Sequence, residues 1–295
     1  AASEAERAET AIVFDFDSSL MSVIEDGATA DNYSFEAKEP LYYYRKSHAG
    51  AYRLLREADY PADYLPVRDA NRFSEYKTLY FPYYPMIKKE VEDALEKFVS
   101  EGGTAILDEG FGLRTTNTWM QAYDVDTKLF KARMRERVVT CGKDEIEYNG
   151  KRARVSPYKC TYKIENAEVF ARLSDGTPAV YEIKYGKGRV YLCCVPIGYS
   201  YYETGSEVFA GLFKKMMSKG TKKYPYSRVK EGLYQKNLVS EEKRTVFLMN
   251  AGEKPQTVKT AETPEKYFGA EKLDDGKFVI PAKSFGYLIF DNPRG

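Results

Sequence analysis

Two carboxylates stand side by side at Asp108-Glu109, directly after the apolar run Thr104-Ala-Ile-Leu107 and before Gly110. At the exit of a parallel strand such groups face the crevice where open sheets bind ligands, and there they suit general acid–base work. The same two residues read more simply as a solvated loop. Neighbours in an extended segment point apart, whereas glycoside hydrolysis needs two carboxyls facing each other across about 5–9 Å. Asp15 and Asp17 offer another pairing, since residues two apart share one face of a strand and Asp17 falls at its exit. Gly110-Phe-Gly112 lacks the Lys-Ser/Thr of a phosphate cradle, and Asp15-Phe-Asp17 stands where a dinucleotide fingerprint would, so nucleotide binding is disfavoured. The single histidine, His48, is the only base around which a Ser-His or Cys-His nucleophile could be built, and it lies in a stretch of helical periodicity. Four cysteines, Cys141, Cys160, Cys193 and Cys194, contain no CxxC, so neither a metal nor a cofactor is expected. Cys193 and Cys194 should point to opposite faces of a strand as buried free thiols, and a Cys141 to Cys160 disulfide stays open.

The elements that would position these groups alternate strand and helix through the first half. Residues 11–16 are a short apolar run closed by Asp17-Ser-Ser19, as in a buried parallel strand followed by a loop. Leu41, Tyr44, His48, Tyr52 and Leu55 predict a helix over 41–59, ending before Pro61. Strands are expected at 62–65 and 77–81, then an amphipathic helix over 86–101 capped by Gly102-Gly103, then the 104–107 strand. This alternation predicts an open, mostly parallel sheet with helices on both faces. From 137 to 195 the pieces 137–140, 167–173, 179–184 and 188–195 read as strands extending that sheet, with Lys151-Arg-Ala-Arg154 as a solvated edge. A helix is expected over 206–217. The polar, Lys-rich stretch 218–226 reads as a linker, giving an α/β domain over 1–217 and a second domain over 227–295. In the latter, 245–250, 256–260, 277–280 and 285–290 predict a small antiparallel β-sandwich.

The 295 residues suit two domains, and 43% hydrophobic with 30% charged residues describe a globular chain. Forty-five basic against 44 acidic residues leave a net charge of +1, which gives no field to draw nucleic acid or an anionic membrane. No apolar run reaches the roughly 20 residues that span a bilayer, and residues 1–10 carry no signal-peptide core. Localisation is left open. Tyrosine is abundant, 26 residues against one tryptophan, Trp119. Three consecutive aromatics on a helix cannot all face one core, so at least one of Tyr42, Tyr43 and Tyr44 should look outward. With Tyr83 and Tyr84 they are candidates for a subunit interface, tyrosine being favoured where one end is apolar and the other wet.

Several segments together resemble a known family. Ala11-Ile-Val-Phe-Asp-Phe-Asp-Ser-Ser19, Tyr52-Arg-Leu-Leu-Arg-Glu-Ala58 with Ala62-Asp-Tyr-Leu-Pro66, Phe98-Val-Ser-Glu-Gly-Gly-Thr104 and Tyr185-Gly-Lys-Gly-Arg-Val-Tyr191 are similar in order and spacing to the middle domain of glycoside hydrolase family 42 β-galactosidases. Thr245-Val-Phe-Leu-Met-Asn250, Pro255-Gln-Thr-Val258 and the stretch 281–288 resemble that family's small β domain. The resemblance implies a sheet of class I amidotransferase-like or flavodoxin-like type, a homotrimer, and a catalytic barrel lying outside these residues together with its two catalytic glutamates and its carbohydrate. A glutaminase reading fails, because Leu107 is followed by Asp108 and not by a nucleophilic Cys. Where many members carry an acidic loop, this chain has Gly110-Phe-Gly-Leu-Arg-Thr-Thr-Asn-Thr-Trp119. No catalytic residue carries over. The positions closest to any substrate would be Asp15, Asp17, Asp108, Glu109, Phe111, Arg114 and Trp119. Two alternatives stand beside this reading: an independent hydrolase using the carboxylates at the sheet top, and a carbohydrate-binding module using the tyrosine clusters and Trp119.

Overall fold

A computed structural model describes residues 3–29, 43–114, 122, 124–140, 142–217, 219–223, 226–227, 232–260 and 262–292. Side chains in 23–29 and 226–227 are not described. The chain forms two compact units, Glu9–Thr221 and Ala1–Ala8 with Lys222–Gly295.

The larger unit is built on a nine-stranded sheet in the order Asp63–Pro66, Thr10–Phe14, Thr78–Phe81, Thr104–Leu107, Gly188–Cys193, Pro178–Tyr185, Glu168–Leu173, Glu145–Tyr148, Lys151–Arg154. The first five strands are mutually parallel and every later pairing is antiparallel. The sheet is therefore mixed, not mostly parallel. The hairpin turns at Gly186-Lys187, Asp175-Gly176 and Asn149-Gly150 return the chain strand by strand, where a parallel sheet would need crossover helices.

Period-two alternation divides the parallel strands between two cores. Val13, Phe81, Leu107 and Leu192 enter one, against the Lys89–Ser100 helix, whose Val91, Leu95 and Phe98 lie one helical face apart. Ile12, Tyr80, Ile106 and Tyr191 enter the other, with Leu54 and Leu55 of the Tyr43–Glu57 helix and Phe209, Leu212 and Phe213 of the Glu207–Met216 helix. Cys193 and Cys194 fall into opposite cores as free thiols, as the alternation requires. The Lys131–Val139 strand does not extend the large sheet. It pairs with Asp124–Asp126 and Tyr158–Ile164 in a separate three-stranded sheet, whose Ala132, Met134 and Cys160 cover the first core. Cys160 is a free, buried thiol, and Cys141, its expected partner, lies outside the described residues.

Three elements differ from the sequence expectation. Phe16–Thr29 is a helix and not a loop, started by Asp15, whose Oδ2 accepts from Ser18 N at 2.9 Å and Ser18 Oγ at 2.8 Å. Asp17 therefore sits in a first helical turn. Val67–Glu75 is a 3₁₀ segment, and Ile197–Thr204 is a short helix packed on Tyr43–Glu57. The two helices meet through glycines. A Cβ on Gly50 would lie 1.8 Å from the Gly198 carbonyl oxygen, and one on Gly198 2.5 Å from that of Ser47.

The smaller unit holds two antiparallel sheets, Glu4–Ala5, Leu233–Val239, Lys243–Asn250, Ser284–Asp291, Lys266–Phe268 and Tyr226–Ser227, Gln256–Thr260, Lys277–Ile280, Glu271–Lys272. Their alternating inward residues, among them Val246, Leu248, Val258, Phe278, Ile280 and Leu288, share one core. Residues 3–6, read from the sequence as part of the first domain, belong here: Glu4 and Ala5 pair with Val239 and Leu238, and Glu6 N donates to Asn237 O at 3.0 Å.

Candidate functional site

The carboxyl ends of the parallel strands carry the sequence-predicted acids in two separate places. Asp108 and Glu109, at the end of Thr104–Leu107, are both fully buried and committed to internal donors. Asp108 Oδ1 accepts from Ile197 N at 2.7 Å, and its Oδ2 accepts from Gly198 N at 2.9 Å and Tyr80 OH at 2.7 Å. It caps the Ile197–Thr204 helix, where the macrodipole favours a negative charge. Burial pushes its carboxyl up to about 7, against the opposing pull of those donors.

Glu109 points the other way. Its Oε1 accepts from Arg137 Nε at 2.7 Å and Cys160 Sγ at 3.2 Å, and its Oε2 from Tyr43 OH and from Arg137 Nη2 at 3.4 Å. The Arg137 guanidinium lies over the Tyr158 ring, 3.9 Å from its centroid. Tyr43 is packed edge-on by Tyr83 and Tyr158 and stacked on Tyr199. Burial, reinforced by Glu109, raises the Tyr43 hydroxyl and the Cys160 thiol well above their ordinary values, which removes the thiol as a nucleophile. Burial alone would lower Arg137, but Glu109 reverses this and keeps the guanidinium charged. Adjacent in sequence and opposed in direction, Asp108 and Glu109 do not form a facing catalytic pair.

Asp15 and Asp17 meet at a different point, through a residue the sequence reading passed over. Lys88 Nζ lies 3.0 Å from Asp15 Oδ1 and 2.8 Å from Asp17 Oδ2. Burial would lower the ammonium's pKa, but the hydrogen bonds it donates to both carboxylates raise it instead. These groups border a cavity of about 490 Å³ beyond the ends of Thr10–Phe14 and Asp63–Pro66, walled also by Phe16, Val67, Arg68 and Val91. Consecutive tyrosines reach the two sites: Tyr43 binds Glu109, while the Tyr44 hydroxyl accepts from Asp15 N at 3.3 Å.

The other predicted positions are not brought to either site as open groups. Phe111 is core, against Phe81, Tyr84 and Phe130. Arg114 bridges to Met86 through its backbone, with its N–H donating to Pro85 O at 2.8 Å. Trp119 and Tyr42 lie outside the described residues. Tyr43, Tyr83 and Tyr84 are buried within the chain's own core and are not available to a partner, which corrects their reading as interface residues. Tyr44 is half-buried. His48 is buried between Tyr44 and Tyr64 and held neutral, its pKa lowered by burial to about 3, and its Nε2 has no hydrogen-bond partner. Among the described residues no three His, Cys, Asp or Glu side chains group to hold a metal ion, and no helix is long and apolar enough to cross a membrane.

The sequence reading missed Arg137, Lys88, Phe16 and Arg68. Glu109–Arg137 spans 28 residues and Asp15–Lys88 73, and no local pattern links such partners. Only the helix start at Asp15 left a local signal, an acidic residue three positions before Ser18.

The model of the β-galactosidase trimerisation domain family matches residues 8–221. The chain belongs to that family. Solved structures with the same fold as this trimerisation-domain chain include a β-galactosidase from Bacillus circulans sp. alkalophilus, 18% identical with a TM-score of 0.74, and a cold-adapted β-galactosidase from Rahnella sp. R3, 20% identical with a TM-score of 0.74. Gan42B, a GH42 β-galactosidase, is 21% identical with a TM-score of 0.70. The likeness covers 96%, 98% and 97% of this chain respectively, but only 41%, 42% and 41% of those proteins. The chain thus spans about two fifths of the length of each. No curated protein matches it in sequence.

Proposed function

We propose that these residues are the non-catalytic oligomerisation and accessory region of a β-galactosidase-like glycoside hydrolase acting in carbohydrate metabolism, and that they assemble as a homotrimer. The family match over 8–221 carries this reading. The strand order of the parallel half, with the first strand between the second and third in sequence, supports a flavodoxin-like or amidotransferase-like sheet. The saturation of Asp108 and Glu109 by buried donors supports a structural role for both acids over an independent hydrolase. On this reading, cleavage belongs to a retaining (β/α)₈ barrel that also takes the carbohydrate.

Light scattering at micromolar concentration tests the assembly: a particle of three times 33.7 kDa is expected, and a monomer overturns the trimer. A parallel assay with nitrophenyl β-galactoside should show no turnover by this chain. Turnover abolished by Glu109→Gln, with the fold retained, would overturn the non-catalytic reading.

A further inference from the structure

The cavity bordered by Asp15 and Asp17 combines an exposed aromatic ring with charged groups of both signs. Phe16 is 77% exposed, at the mouth of a cavity whose volume falls within the range of small-molecule sites, about 300–1,000 Å³. Among the described residues it belongs to no hydrophobic cluster or ring pair. Phe14, Pro66, Val67 and Val91 continue the apolar wall, and Asp17, Lys88, Arg68 and Glu90 supply the polar one.

The charges decide the ligand class. Two helices begin at the cavity, Phe16–Thr29 and Lys89–Ser100, and their N-termini would ordinarily attract an anion. Here both ends already carry carboxylates, Asp17 in one first turn and Glu90 in the other, and the Ser18 amide is taken by Asp15. Lys88 is neutralised by Asp15 and Asp17. Arg68 remains, with its side chain 85% exposed and its Nε 4.0 Å from Asp69. A phosphate or carboxylate ligand would meet more negative than positive charge. A cation would find two of the three carboxylates already engaged by Lys88, with the Arg68 guanidinium beside the third. A neutral ligand with one apolar face and a rim of hydroxyls satisfies both walls: its C–H face lies on an aromatic ring, and its hydroxyls donate to carboxylates and accept from ammonium and guanidinium groups.

We propose that this cavity binds a neutral saccharide, with Phe16 as the stacking platform and Asp17 and Arg68 as the hydroxyl partners. The inference stands on the cavity alone and does not need the trimer.

Ligand-observed NMR on the full chain, with methyl β-galactoside, lactose and glucose as probes, tests it. Saturable millimolar binding of at least one sugar is expected. Phe16→Ala should weaken it tenfold or more and Arg68→Ala severalfold. Both side chains are largely exposed, so circular dichroism and Tm should not move. Inorganic phosphate should not compete. Absence of binding by all three sugars, unchanged binding by Phe16→Ala, or displacement by phosphate would each overturn the proposal. So would a Phe16→Ala chain that binds sugar as before but changes its oligomeric state, which would assign Phe16 to a subunit contact. Because size is measured separately, a monomer that still binds sugar through Phe16 would end the trimer reading and leave this one standing.

Discussion

His48 shows how one buried side chain can carry a pH dependence without carrying chemistry. Its imidazole is enclosed by Tyr44 and Tyr64, and burial lowers its pKa to about 3 while an unfolded chain would titrate near 6.5. The folded state thus binds fewer protons than the unfolded one between these values. Stability from this residue is complete above about pH 6.5 and is lost as pH falls toward 3. Asp108 acts in the opposite sense. Its raised carboxyl, at about 7, holds a proton that the unfolded chain releases near 4, so its contribution declines as pH rises through that interval. A bulk stability curve mixes the two, whereas the single histidine gives a direct readout. Its Cε1 proton resonance should stay flat from pH 8 to pH 5, and a midpoint near 6.5 would show that the ring is solvated in the folded state. His48→Phe should flatten the acid limb of stability below pH 6.5 at no large cost at pH 8, since the Nε2 it removes has no partner.

Between elements, the Glu109–Arg137 pair ties the end of the Thr104–Leu107 strand to the separate three-stranded sheet. Removing one member leaves the other charged and buried, so Glu109→Gln or Arg137→Met should each cost about 3–5 kcal/mol. The double variant should cost clearly less than the sum, as measured by urea unfolding. Additive costs would mean that the two charges are not coupled. This pair also marks the limit of what the sequence discloses. Runs with strong periodicity were legible: Thr104–Leu107 appears at its expected bounds, the helices at Lys89–Ser100 and Glu207–Met216 within a few residues, and the C-terminal strands at 245–250, 256–260, 277–280 and 285–290 all form. Pairing was less legible. The stretch at 137–140 read correctly as strand, but whether it joins the large sheet depends on partners at 158–164, and its alternation suits either sheet. The acids at 108 and 109 were found by residue type. Their burial was not, because it comes from Tyr43, Tyr80, Arg137 and the Ile197 and Gly198 amides, all distant in sequence.

At the scale of the whole molecule, the division into units does not follow a single cut along the chain. The family match begins at residue 8 and the larger unit at Glu9, while Ala1–Ala8 belong with Lys222–Gly295. Glu4 and Ala5 add an edge strand to Leu233–Val239, Glu6 accepts from Asn237 Nδ2 at 2.9 Å, and Glu6 pairs with Lys222. Deleting residues 1–8 should therefore destabilise the C-terminal unit alone. For a domain of this size each kcal/mol lost lowers Tm by about 4–8 °C, and the strand's backbone bonds with the Glu6 contacts are worth about 1–3 kcal/mol. The chain supplies a selective probe, since its single histidine, His48, is buried in the larger unit. The His48 proton resonance should report an unchanged transition in the truncated chain, while far-ultraviolet circular dichroism, which sees both units, should gain an earlier one. An early shift in the His48 transition would instead place the first eight residues with the larger unit. Unchanged transitions by both probes would show that the Glu4–Ala5 strand adds nothing to the sandwich it edges.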